Sequence, residues 1–104
     1  MNLISIDIYI DKIKFEIFSI YDDRQNSILQ NEIKIPVSFS IGDKLEYLRK
    51  FITIIINQNK IKKAYLNIKD NFEIYTIKIE GILEEVLSSY GVELCNWVLI
   101  LTLK

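Results

Sequence analysis

Few residues of this chain are equipped for chemistry. There is no histidine among the 104 residues, and Cys95 is the lone cysteine. That removes a histidine-based triad, a histidine metal ligand, an internal disulfide and a Cys cluster for zinc or iron–sulfur. Carboxylates, ammonium groups and hydroxyls remain. Asp7 sits beside Ser5 in an alternating apolar run, Ile4-Ser5-Ile6-Asp7-Ile8, where one face carries isoleucines and the other carries polar groups. Asp70 follows a second apolar run, in the polar stretch Lys69-Asp70-Asn71. Glu80, Glu84 and Glu85 form an acidic set that could hold a cation, although acids on a helix mostly make its solvated face. Lys60, Lys62 and Lys63 make a small basic cluster that could touch phosphates, but lysines near a helix C-terminus are also favoured by the dipole. Cys95, in an apolar context, reads as a small buried hydrophobe and not a nucleophile.

Composition narrows the class of object. Thirteen basic residues face 14 acidic ones, giving a formal charge of −1 and a pI near 5.4. That balance argues against a chain whose main task is to grip nucleic acid or an anionic membrane. Half the residues are hydrophobic and 26% charged, so the chain folds, and its length suits one domain, residues 1–104. No stretch reaches the roughly 18 apolar residues of a membrane span. Met1–Ile10 has no basic start, and Asp7 and Asp11 break its apolar run, so it does not read as a signal peptide. The expected compartment is the cytoplasm, with no membrane partner. Isoleucine occurs 22 times against one alanine, Ala64, so spacing is a better guide here than residue type.

Leu3 to Ile10 alternates with period two, placing Ile4, Ile6, Ile8 and Ile10 on one face of a first strand. A tight turn at Asp11-Lys12 leads into a second strand, Ile13 to Tyr21. Asp22 to Ser27 is expected as a polar loop, and Ile28 to Val37 as a third strand ended by Pro36. Ser40 and Asp43 then stand three apart as in a capping box. Leu45, Leu48, Ile52, Ile55 and Ile56 make one helical stripe, and Asn57 to Lys60 closes the helix. Lys62 to Ile68 is nearly all apolar after Lys63, as a central strand would be. From Ile74 to Tyr90 strand and helix patterns compete. The stripe Tyr75, Ile79, Ile82, Leu83, Val86, Leu87 and Tyr90 favours helix, with Gly81 a weak point and Gly91 placed as a left-handed cap. Val92 opens a fifth strand. The order β-β-β-α-β-α-β predicts an α/β fold: a mixed sheet with helices covering its faces.

That order resembles the ribonuclease-H-like fold, and within it the small RuvC-like branch of uncharacterised bacterial members. Ile4-Ser5-Ile6-Asp7 is similar to the acid-bearing first strand of that family. Asp43 to Lys60, followed by Ile61-Lys62-Lys63-Ala64-Tyr65-Leu66, resembles its helix and next strand, and Gly91-Val92-Glu93-Leu94 its turn into strand five. The resemblance implies a phosphodiester hydrolase in which three or four carboxylates hold two magnesium or manganese ions. Asp7 matches the first of them, as a metal ligand. The second belongs at the end of strand four, where this chain reads Leu66-Asn67-Ile68-Lys69 and Asp70 comes one or two residues late. The third belongs near a terminal helix, yet no acid follows Glu93. ATP-binding relatives of actin type need glycines in the first turn, and Ile10-Asp11-Lys12-Ile13 has none.

The sequence therefore predicts a ribonuclease-H-like domain without hydrolysis, needing no cofactor and acting through protein contacts. The apolar tail Trp97 to Leu103 predicts a homodimer or partner interface. Two other readings are a magnesium- or manganese-dependent nuclease or junction resolvase using Asp7 and Asp70, and a nucleic-acid binder that does not cleave.

Overall fold

The computed structural model describes residues 1–36, 38–69 and 74–95. It contains β1 (Asn2–Ile8), β2 (Lys12–Tyr21), β3 (Arg24–Lys34), α1 (Ile41–Asn59), β4 (Ile61–Ile68), α2 (Ile74–Ser89) and β5 (Glu93–Leu94). The strands form one sheet in the order β3-β2-β1-β4-β5. β1 pairs antiparallel with β2 and parallel with β4, so the sheet is mixed and β1 is its central strand.

Alternation in β1 decides the layering. Ile4, Ile6 and Ile8 are fully buried in one cluster with Leu48, Ile52 and Ile56 of α1 and Ile79, Leu83, Val86 and Leu87 of α2. Both helices therefore cover the same face of the sheet, rather than one on each side. They also touch each other, and Arg49 of α1 bridges to Glu85 of α2 at 3.1 Å. The helix expected from about Ile74 is present, and Thr76 is buried in its first turn. Tyr90, by contrast, lies beyond the helix and is exposed.

Caps follow the residue types. Ser40 Oγ accepts from the Asp43 amide at 3.2 Å and starts α1. Lys60 ends it in the left-handed region at φ 50°. Gly91, at φ 74°, lets the Val92 amide reach back to the Leu87 carbonyl at 2.9 Å and closes α2.

Several expected boundaries move. β1 stops at Ile8, so Ile10 leaves the apolar face and is 45% exposed. The β1–β2 connection is centred on Ile10-Asp11, one residue earlier than expected, with the Tyr9 amide bonded to the Lys12 carbonyl at 2.9 Å. The loop expected over Asp22 to Ser27 is a two-residue turn. Asp22 and Asp23 both take positive φ (50° and 62°), the geometry that matches strand twist, and β3 starts at once with Arg24. β3 ends at Lys34, before Pro36. β4 is an inner strand, but the centre of the sheet is β1.

Candidate functional site

Because β1 alternates, its second set of side chains points away from both helices. Asp7 stands there in the middle of the sheet, half-buried. The registers fix its neighbours. Across β2 it faces Lys14, and across β4 it faces Asn67. One row away, Ser5 faces Glu16 of β2 and Tyr65 of β4. Lys14 in turn faces Glu32 of β3. Directly opposed side chains in such pairs have Cβ atoms about 4.5–5.5 Å apart, so these groups share one surface.

Two grooves meet at this surface. One, of about 440 Å³, runs over β1, β2 and β3 between Asp7, Lys14, Glu16, Gln30 and Glu32. The other, of about 430 Å³, runs over β1, β2 and β4 between Asp7, Glu16, Tyr65, Asn67 and Lys69. Lys12 and Lys14 hold their ammonium groups 5.4 and 5.5 Å from the Tyr9 ring at the hairpin end, and Lys12 also approaches Glu32 at 3.8 Å. Among the described residues no ion pair engages the Asp7 carboxylate.

The other acids singled out in the sequence do not join Asp7. Glu80, Glu84 and Glu85 belong to α2, in the layer on the opposite face of the sheet. Glu85 is held by Arg49, and Glu80 titrates above the ordinary carboxylate range through burial, with the neighbouring Glu84 charge adding to the shift. Asp70 lies outside the described residues. Glu16, which the sequence reading passed over, is the acid diagonal to Asp7 on the same face. Its signal was available in the hairpin, since a turn centred on Ile10-Asp11 dictates which β2 residues flank Asp7.

The resemblance implies a two-ion centre held by three or four clustered carboxylates. Among the described residues no group of three or more His, Cys, Asp or Glu side chains is placed to hold a metal ion. Asp7 stands opposite Asn67 of β4 and Lys14 of β2 in register, and the Lys14 ammonium lies 5.5 Å from the Tyr9 ring without forming an ion pair with Asp7. Among the described residues, Asp7 and the diagonal Glu16 are the acids on this part of the sheet face, fewer than the resemblance implies for paired magnesium or manganese ions. Lys60, Lys62 and Lys63 lie at the α1–β4 junction, where β4 begins. Cys95 donates to the Ala64 carbonyl at 3.4 Å. Burial raises its pKa, while Lys63 pulls it down and Glu93 pushes it up; the net rise is opposite to thiol activation, and the side chain is half-buried where the sequence suggests a buried one.

The architecture can be compared with solved structures. Thermus thermophilus RuvC superposes with a TM-score of 0.78 at 10% identity, over 93% of this chain and 63% of that one. The fold is ribonuclease-H-like. Fowlpox virus resolvase, solved with its Holliday junction substrate, gives a TM-score of 0.66 at 13% identity, over 92% of this chain and 59% of that one. An Aquifex aeolicus PPX-GPPA enzyme gives 0.57 at 19% identity, over 92% and 36%. The chain thus spans less than two thirds of each of these proteins. No family model and no curated protein matches the sequence. No helix among the described residues is long and apolar enough to cross a membrane.

Proposed function

We propose that this chain is a ribonuclease-H-like domain that acts by binding, through protein contacts, and does not hydrolyse phosphodiesters by a two-ion route. One observation carries the reading: the central acid, Asp7, is flanked in register by Lys14 and Asn67, where hydrolysis requires further carboxylates. Asp7 matches the first acid that the resemblance implies, and among the described residues no group of three acids forms around it.

A second reading is a divalent-metal-dependent nuclease. The structural neighbours support it over a dead domain, because RuvC and the fowlpox resolvase are solved as enzymes of branched DNA. In that reading Asp7 would be joined by Asp70, three residues beyond Asn67 in sequence, with Glu16 the nearest further acid on the same sheet face. Incubation with four-way junctions, duplex DNA and RNA–DNA hybrid in manganese separates the two. The proposal expects no cleavage above a no-protein control. Manganese-dependent cleavage that disappears in both Asp7→Ala and Asp70→Ala would establish the nuclease.

A further inference from the structure

β3 is an outer strand of the sheet, paired only with β2 among the described residues. Its eleven residues are exposed nearly throughout, with Ile33 the buried exception. A bulge at Ile28 divides it, because Phe18 pairs with Ser27 and Ile17 with Leu29. Beyond the bulge, Leu29 to Lys34 runs in regular register and offers a straight row of outward-facing backbone groups. Leu29 and Ile33 face the helix side of the sheet, since they oppose Ile17 and Ile13. A groove of about 390 Å³ opens there, between β3 and α1, mostly apolar through Phe15, Ile33, Phe51 and Ile54, with Asn31 and Gln58 among its polar lining residues. Ile54 is 51% exposed and Phe51 38%, an unusual pair to leave in water on the flank of a helix. An open edge beside an apolar groove is the arrangement that receives an added strand: the edge supplies hydrogen bonds and the groove takes alternate side chains.

The chain contains one segment suited to that role. Trp97 to Leu103 carries no charge, and Trp97, Leu99, Leu101 and Leu103 alternate with Val98, Ile100 and Thr102. It follows β5, the strand at the opposite edge of the sheet. Four inter-strand spacings separate β5 from β3, about 19 Å. The three steps from Leu94 to Trp97 reach about 11 Å at most. The segment cannot lie along β3 of its own copy from Trp97 onward, whereas β3 of a second copy carries no such restriction. We propose that residues 97–103 of one copy add to the Leu29–Lys34 edge of another, with the leucine row in the α1 groove. Reciprocal exchange closes a twofold dimer. The proposal does not depend on whether the Asp7 face hydrolyses anything.

The test uses the full chain in sedimentation velocity at tens of micromolar. A dimer, twice 12.3 kDa, is expected. Ile54→Lys in the groove and Leu101→Lys in the segment should each weaken dimerisation on the order of tenfold or more, with circular dichroism unchanged for the exposed Ile54 site. Mixing the two variants should restore association, because the intact segment of the Ile54→Lys copy meets the intact groove of the Leu101→Lys copy. A monomeric parent, a dimer indifferent to Ile54→Lys, or a mixture that stays monomeric would each overturn the proposal.

Discussion

The two faces of β1 use the same seven residues for opposite purposes. Ile4, Ile6 and Ile8 are fully buried beneath two helices that also hold each other. Ser5 and Asp7, one residue away along the strand, line two shallow grooves among lysines, glutamates and amides. The first face is over-determined: each isoleucine meets side chains from several elements, and its position is fixed by packing. The second face is packed less evenly: Leu3 is fully buried there, whereas Ser5 and Asp7 are only half-buried. The difference teaches that packing specifies the helix-covered face residue by residue, while the half-buried Ser5 and Asp7 are placed by strand register.

Substitutions on either side of the peptide bond between Ile6 and Asp7 put this contrast to the test. Ile6→Ala, fully buried at the sheet centre, should cost about 2–5 kcal/mol in denaturant unfolding. A loss below 1 kcal/mol would mean that the helix-covered face is not the core. Gly81→Ala should act in the other direction. Gly81 lies inside α2, and a Cβ there meets no atom within 4 Å, so helix propensity alone decides and about 0.5–1 kcal/mol is gained. Asp7→Thr should leave stability unchanged or raise it by a few tenths of a kcal/mol, because a β-branched residue suits a strand better than an aspartate with no ion-pair partner among the described residues. A marked loss would reveal that Asp7 is held by interactions the open face does not display.

The smallest effect is a pH dependence on the helix layer. Glu80 has its pKa raised by burial and by Glu84, so its ionisation disfavours the folded state. Stability contributed by the protonated form is present at low pH and is lost as pH rises through the raised folded value. Glu80→Gln should therefore give a slightly higher Tm than the parent at pH 7, and the gap should close below the ordinary carboxylate pKa. An equal gap at pH 3 and pH 7 would assign the change to something other than this charge.

Much of the scaffold is legible in the sequence because period and position agree. The alternation of Ile4, Ile6 and Ile8 marks β1, and the stripe Leu48, Ile52, Ile55 and Ile56 marks the buried face of α1. Around Ile74 to Tyr90 the helical stripe outweighs the short alternation of Tyr75, Ile77 and Ile79, and the buried Ile79, Leu83, Val86 and Leu87 show why: a helix can present all four to the core at once. The hairpins were harder. Asp22-Asp23 makes a turn through two aspartates at positive φ, where glycine or asparagine is the usual signal, and so it resembled a loop. β3 gave a weak pattern because an exposed edge strand has no buried face to impose one, and its bulge at Ile28 breaks the alternation further.

The site was legible only in its first residue. Asp7 could be placed on the central strand, but its neighbours depend on the hairpin register. A turn one residue later, at Asp11-Lys12, would slide β2 by two positions and set Glu16 opposite Asp7; the observed turn sets Lys14 there instead. One residue in a turn thus decides whether Asp7 stands opposite Glu16 or Lys14. The tail interface predicted for Trp97 to Leu103 and the acid Asp70 both fall outside the described residues.

Counting manganese ions on the full-length chain by electron paramagnetic resonance tests the central claim most directly. With Lys14 and Asn67 beside Asp7, the free-ion signal should track added manganese through the sub-millimolar range, in the parent and in Asp7→Ala alike. Two ions taken up per chain by the parent, and released by Asp7→Ala, would contradict it.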